Sequence, residues 1–206
     1  MVLHDFWTFF IWSTVAGLAI IGIYQLFLLI LRARGVFVTR TKFGLTMIFD
    51  SEDADGTPIR LLNVNGTFQS VSYIAPELRF ELCVHYHRMM AKVIQQVSAR
   101  GHVVVMGGGG FSLPKHLATH MSGGVIDAIE IDPKIVSLAR EHFFLDEALA
   151  AASSKLRVIE DDAWKVLQDA DADSIDVLVN EVFAGRKSLG PLGTAAGAQV
   201  VKEKLA

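Results

Sequence analysis

VVVMGGGGFS, Val103 to Ser112, followed by VIDAIEIDP, Val125 to Pro133, decides the fold of this chain. The first stretch reads as a buried apolar strand running into a glycine turn, and the second as another strand ending in Glu130 and Asp132. Glycines at such a turn adopt φ angles closed to other residues and let a ligand approach the backbone. An acidic side chain about 20 positions further on is placed to accept from both hydroxyls of a ribose. Together the two stretches point to a nucleoside site in an α/β fold. The glycines alone would fit a plain tight turn.

Outward from this pair, strand and helix patterns alternate: Val103 to Met106, Leu113 to His120, Val125 to Ile131, Pro133 to Phe144, Leu156 to Ile159, Trp164 to Ala170 and Ile175 to Val179. Such alternation implies a parallel sheet with right-handed crossovers, a Rossmann-type domain over residues 76–206. Upstream, Phe43, Leu45, Met47 and Phe49 alternate as on a half-buried strand, and Asn65-Gly66 marks a hairpin turn. Residues 39–75 therefore read as a small β-hairpin module. Spacing of Leu78, Leu82, His85, Met89 and Val93 predicts one helix from Pro76 to about Ser98, stopped by Gly101.

The first 34 residues have a different character. Phe6 to Leu31 carries no formal charge and exceeds the roughly 20 residues that cross a bilayer core. A signal peptide fits poorly, because no basic region precedes the run and no small-residue cleavage site follows. Arg32, Arg34, Arg40 and Lys42 follow the span, which by the positive-inside rule orients the domain to the cytoplasm. A single-pass membrane protein is expected. The lone Cys83 agrees with a reducing compartment. A net charge of −3 and a pI near 6.1 argue against nucleic acid as a partner.

LLNVNGTFQS (Leu61 to Ser70), HYHRMM (His85 to Met90), MGGGGFSLPKHL (Met106 to Leu117), IEIDPKIVSLAR (Ile129 to Arg140), EDDAWKVL (Glu160 to Leu167) and IDVLVNEVFAG (Ile175 to Gly185) follow one another in a familiar order. In that order and spacing the chain resembles the spermidine synthase-like aminopropyltransferases, which share the class I S-adenosylmethionine-dependent methyltransferase fold. The leading span looks like the membrane-associated bacterial members. The resemblance implies that Gln69 and Tyr86 face the nucleotide, that Gly107, Gly108 and Gly109 approach its sulfonium end, and that Glu130 holds the ribose. It also implies that Asp162 receives the adenine amino group with Ala163 beside it, and that Glu181 deprotonates the attacking amine. The bound species would be S-adenosylmethionine or its decarboxylated form, and the partner a small-molecule amine.

Other readings stand beside these. Gln69 also fits a hairpin surface residue, Asp162 a helix cap, Glu181 a solvated strand end, and His87 a packed or surface position more readily than a catalytic one. Asp132 is expected to cap the helix that begins at Pro133. His85 and His87 point to different helix faces; His116 and His120 share a face but lack a third ligand nearby in the sequence. No metal site is expected, and Lys115 and His116 are placed on a solvated helix face.

Departures from the family pattern matter as well. Gly110 stands where polyamine-making members carry an Asp that recognises the aminopropyl amine, and Ala184 replaces a second carboxylate of the catalytic segment. Loss of acids weakens binding of a polycation, whereas loss of an anion at position 110 removes repulsion against the carboxylate of ordinary S-adenosylmethionine. The sheet is expected to lack its last strands, since the chain ends within the helix before the fifth. A shortened reading frame, self-association, or a partner completing the sheet each account for that. Aminopropyl transfer to an amine, in polyamine biosynthesis, is what the resemblance implies; methyl transfer and a non-catalytic nucleotide-binding scaffold at the membrane are the alternatives.

Overall fold

Two sheets and an apolar N-terminal helix make up the computed structural model, which describes residues 2–98, 100–182 and 190–206. Helix α1 (Val2–Ala33) contains a span, Trp7–Ala33, with a mean hydropathy of 2.3 and no part of it buried in the protein. It is one helix long and apolar enough to cross a membrane.

Strands β1 (Phe37–Thr41), β2 (Gly44–Glu52), β3 (Pro58–Val64) and β4 (Thr67–Tyr73) form an antiparallel sheet in chain order. Asn65 and Gly66 both take positive φ (51° and 83°), which is what a two-residue hairpin turn of the expected kind demands. The module is larger than a hairpin, because β1 also pairs with β2.

The second sheet is parallel, in the order β7-β6-β5-β8, with β5 (His102–Met106), β6 (Val125–Ile129), β7 (Lys155–Ile159) and β8 (Val177–Asn180). Helices cover both of its faces, so Val103 to Met106 are buried along their whole length. On one face α2 (His85–Val97) and α3 (Ser112–His120) bring Ala91, Ile94, Leu113 and Leu117 against Val103 and Val105. There too α4 (Pro133–His142) and α5 (Leu145–Ala151) pack Val136 and Leu145 on Ala128. On the other face Leu167 of α6 (Ala163–Asp169) meets Val104 and Met106, with Val200 and Val201 of α7 (Ala195–Lys204) beside them. Beyond α7, Leu205 pairs in parallel with Ile175. The crossover that leaves β5, through α3, and the one that enters β8, through α6, thus lie on opposite faces, and the ends of β5 and β8 mark the switch point where open α/β sheets bind ligands.

The antiparallel module sits against this region through Ile48, Leu62 and Val64, which pack on Ile135, Leu138 and Phe143. Asp132 caps α4 as expected, one oxygen accepting from Lys134 N–H at 2.9 Å and the other from Lys42 N–H at 2.6 Å.

The single helix expected from Pro76 to Ser98 is broken. A 3-10 turn covers Pro76–Leu78, and α2 begins only at His85. Tertiary contacts fasten the intervening segment. Arg79 donates to the Ile74 carbonyl and to Glu147 and stacks on Phe144; the Phe80 carbonyl accepts from His116 Nδ1 at 2.8 Å; and Leu82 enters the core. The helix from Pro133 also stops early, because Phe144 adopts φ 60° and starts α5. Lys115 is not on a solvated face. It is 1% exposed, and its ammonium donates to the Phe143 carbonyl and to Ser72 Oγ. Burial pulls its pKa down to about 7. His116 is half-buried as well.

Candidate active site

All four parallel strands end at one cavity of about 690 Å³, a volume in the range of small-molecule sites. The turn after β5 supplies Gly107, Gly108 and Gly109, the end of β6 supplies Glu130, the turn after β7 supplies Asp162 and Ala163, and the end of β8 supplies Glu181. From the antiparallel module β4 adds Gln69, and α2 adds Tyr86. Every residue singled out in the sequence as a nucleotide contact or base therefore lines the same space. Ile131, Ile135, Trp164 and Leu192 give it apolar walls.

Glycine is required at position 107. Its φ is +96°, and a Cβ there would lie 2.7 Å from the Glu181 carbonyl oxygen, so the turn and the end of β8 touch through their backbones. Glu130 is 8% exposed and already engaged: one oxygen accepts from Gly108 N–H at 2.9 Å and Gly109 N–H at 3.2 Å, the other from Asp132 N–H at 3.0 Å. A carboxylate offers about four acceptor sites, so roughly one remains free. Glu130 thus braces the glycine turn, and hydroxyls entering the cavity compete with amides for it.

Asp162 caps α6 through Oδ1, which accepts from Trp164 N–H at 2.8 Å and Lys165 N–H at 3.4 Å. Both cap bonds use one oxygen, so Oδ2 takes no part in the cap at a residue that lines the cavity. Capping and ligand contact are compatible at this residue. Gln69 is half-buried on β4 and is not only a surface position of the hairpin.

His87 takes the packed position that the sequence favoured, and there it meets Glu181. Its Nε2 lies 2.6 Å from Glu181 Oε1, with the two side chains 7% and 12% exposed. The pair is formed by α2 lying across the end of β8, a juxtaposition that no local spacing reveals. His87 Nδ1 is buried with no partner among the described residues. With the imidazole donating from Nε2, one oxygen of the Glu181 carboxylate is held, at a residue that lines the cavity. Tyr86 stands beside them, its ring centroid 4.2 Å from that of His87. Burial, and then the charge of Glu181, raise the Tyr86 pKa, so its hydroxyl remains a donor.

A family model described as spermine/spermidine synthase domain matches residues 83–187, just over half of the chain. The chain belongs to the spermine/spermidine synthase family. The matched segment holds α2, the glycine turn, Glu130, Asp162 and Glu181. Among solved structures the fold is similar to that of a probable spermidine synthase from Corynebacterium glutamicum, with a TM-score of 0.65 and 23% identity over 82% of this chain and 60% of that one. It is also similar to a spermidine synthase in complex with a transition-state analogue, AdoDATO (TM-score 0.60, 16% identity, 82% and 54% covered). A spermidine synthase from Thermotoga maritima gives a TM-score of 0.59 at 16% identity (82% and 53% covered). The chain spans little more than half the length of these proteins. No curated protein matches it in sequence.

The two substituted positions differ in what the structure describes. Gly110 lies away from the cavity lining, and a Cβ there would meet Ser70 Oγ at 2.6 Å and Phe143 at 3.1 Å. Ser70 occupies the space a side chain at position 110 would need. Ala184 and Gly185 lie outside the described residues.

Proposed function

We propose that the cavity binds an S-adenosylmethionine derivative and that the protein transfers the derivative's aminopropyl group to an amine. In this reading Asp162 Oδ2 accepts from the adenine amino group, Glu130 from the ribose, and the glycine turn lies along the sulfonium end. The amine nitrogen attacks the carbon attached to sulfur, the C–N bond forms as the C–S bond breaks, and methylthioadenosine leaves. Glu181 accepts the proton that the nitrogen gives up, and His87 holds the carboxylate in place. Most of the rate enhancement comes from positioning. A helix able to span a membrane precedes the domain, and the basic residues after it favour anchoring with the domain in the cytoplasm.

The observation that carries this proposal is the Glu181–His87 contact at the cavity wall, which gives a buried base of fixed orientation beside the glycine turn. Glu181→Gln should retain nucleoside binding and lower turnover by about 10²–10⁴-fold, the usual range for a general base. Equal turnover in the variant would remove Glu181 from the chemistry.

One observation favours a second reading. With Gly110 in place of an acid and Ser70 filling the adjacent space, no carboxylate stands at that position to select a decarboxylated ligand. Ordinary S-adenosylmethionine, and methyl transfer from it, then become the competing chemistry.

A further inference from the structure

Glu81, His116 and His120 meet at the end of α3 remote from the glycine turn, and the chemistry above uses none of them. His116 and His120 are one helical turn apart, so their rings share a face. They stack with centroids 4.0 Å apart and planes inclined by 22°. Glu81 arrives from the fastened segment between the 3-10 turn and α2. Its Oε1 lies 3.0 Å from His120 Nε2 and its Oε2 3.9 Å from His116 Nδ1. One donor atom from each of the three residues lies within 4.8 Å of the others. The third ligand that the histidine pair lacks in the sequence is supplied by the fold.

Hydrogen bonds around the rings fix which nitrogens are available. His116 Nδ1 lies 2.8 Å from the Phe80 carbonyl, and His120 Nδ1 lies 3.0 Å from the His116 carbonyl and 3.0 Å from Thr119 Oγ1, whose own proton goes to the Lys115 carbonyl at 2.9 Å. A carbonyl oxygen can only accept, so each Nδ1 carries the proton and each neutral ring presents Nε2 as a lone pair. Histidines that ligate metals are oriented in this way, with the other ring nitrogen tied to a backbone carbonyl or carboxylate. In a neutral His120 the Nε2 lone pair would face the Glu81 carboxylate at 3.0 Å, acceptor against acceptor. That pair calls for a proton or a cation between its members. Tetrahedral coordination with bonds of about 2.0–2.2 Å sets neighbouring ligand atoms about 3.3 Å apart, close to the 3.0 Å between Glu81 Oε1 and His120 Nε2, and the three-residue cluster already lies within 4.8 Å.

We propose that Glu81, His116 and His120 bind one divalent transition cation of the zinc type, through two imidazole nitrogens and one carboxylate oxygen, with a fourth position open to water. Two imidazoles and a carboxylate suit zinc better than the oxygen-seeking magnesium or calcium. Glu81 and His120 have side chains 46% and 36% exposed, so an ion can enter from solvent and Glu81 can follow it inward. Glu81 sits just before α2, the helix that carries Tyr86 and His87, so the cation would pin the start of α2 to α3.

The full chain, untagged, in detergent and stripped with a chelator, is titrated with zinc chloride against a chromophoric competitor, and its thermal midpoint is read with and without zinc. The expected result is one zinc per chain, a raised midpoint, and affinity falling at least about tenfold in Glu81→Gln and in His120→Asn. In the His116→Asn/His120→Asn double variant the stoichiometric site disappears. Should that variant not fold, the two single variants at exposed side chains give the same readout. Cobalt in place of zinc should give the intense visible bands of a tetrahedral site. The proposal is overturned if the chain takes up no stoichiometric zinc, as it would if a proton alone bridges Glu81 and His120. It is equally overturned if uptake is unchanged in the variants.

Discussion

Glu130 shows how one side chain can serve two roles whose tests differ. Its three amide partners make it the brace of the glycine turn, and its place in the cavity wall at the end of β6 is where the proposed function puts the ribose. Replacement by alanine leaves the Gly108, Gly109 and Asp132 amides without that partner. Glu130→Ala is therefore expected to lower nucleoside affinity by about 1.5–3 kcal/mol, the range for hydrogen bonds to a charged group, and to lower the thermal midpoint as well. Calorimetric titration and thermal unfolding of the same sample separate the two effects. A lower midpoint with unchanged affinity would leave Glu130 as a brace only. Glycine at 107 was legible as a turn residue in the sequence, yet its contact with the Glu181 backbone was not, because β5 and β8 meet only when the sheet forms.

At the scale of elements, Lys115 joins α3 to the start of α5 through the Phe143 carbonyl, next to the left-handed step at Phe144. A lysine flanked by Pro114 and His116 in a nine-residue helix looks solvated in sequence, because local pattern does not report what α5 brings over it. Its folded pKa, about 7, lies below the ordinary lysine value of 10.5 because of burial. Between those values the unfolded chain binds the proton and the folded chain does not, so stability rises with pH across that window. Below it both states are protonated, and the full cost of the buried charge is present. Lys115→Met should flatten the rise in thermal midpoint between about pH 7 and pH 10. An unchanged slope would mean that the ammonium is not the group responsible. The parallel strands, by contrast, were readable to within two residues, since apolar β-branched runs of that length have few alternatives. The break between Leu78 and His85 was not, because Arg79 and Leu82 are held by partners distant in sequence.

For the whole molecule, the span and the site belong to one arrangement: α1 leads through Gly35 into β1, and the module that β1 begins forms part of the cavity wall. For the proposed anchoring, the basic residues beyond the span predict a cytoplasmic domain. A cysteine placed at exposed Ala54, between β2 and β3, should stay unlabelled by an impermeant thiol reagent added to intact cells and react after permeabilisation. Cys83 adds little background, since burial raises its thiol pKa to about 11. Labelling from outside would invert the orientation. The candidate site was largely legible, as each strand end carries its polar residue at a recognisable place; the His87–Glu181 contact was not, since 94 residues separate the pair. The measurement that bears most directly on the function is calorimetric titration of the full chain in detergent with S-adenosylmethionine, its decarboxylated form and methylthioadenosine. Saturable one-to-one binding of methylthioadenosine, with the decarboxylated form binding more tightly than S-adenosylmethionine, is the expected result. Preference for S-adenosylmethionine would shift the chemistry to methyl transfer, and no binding of any of the three would contradict a nucleoside site in this cavity.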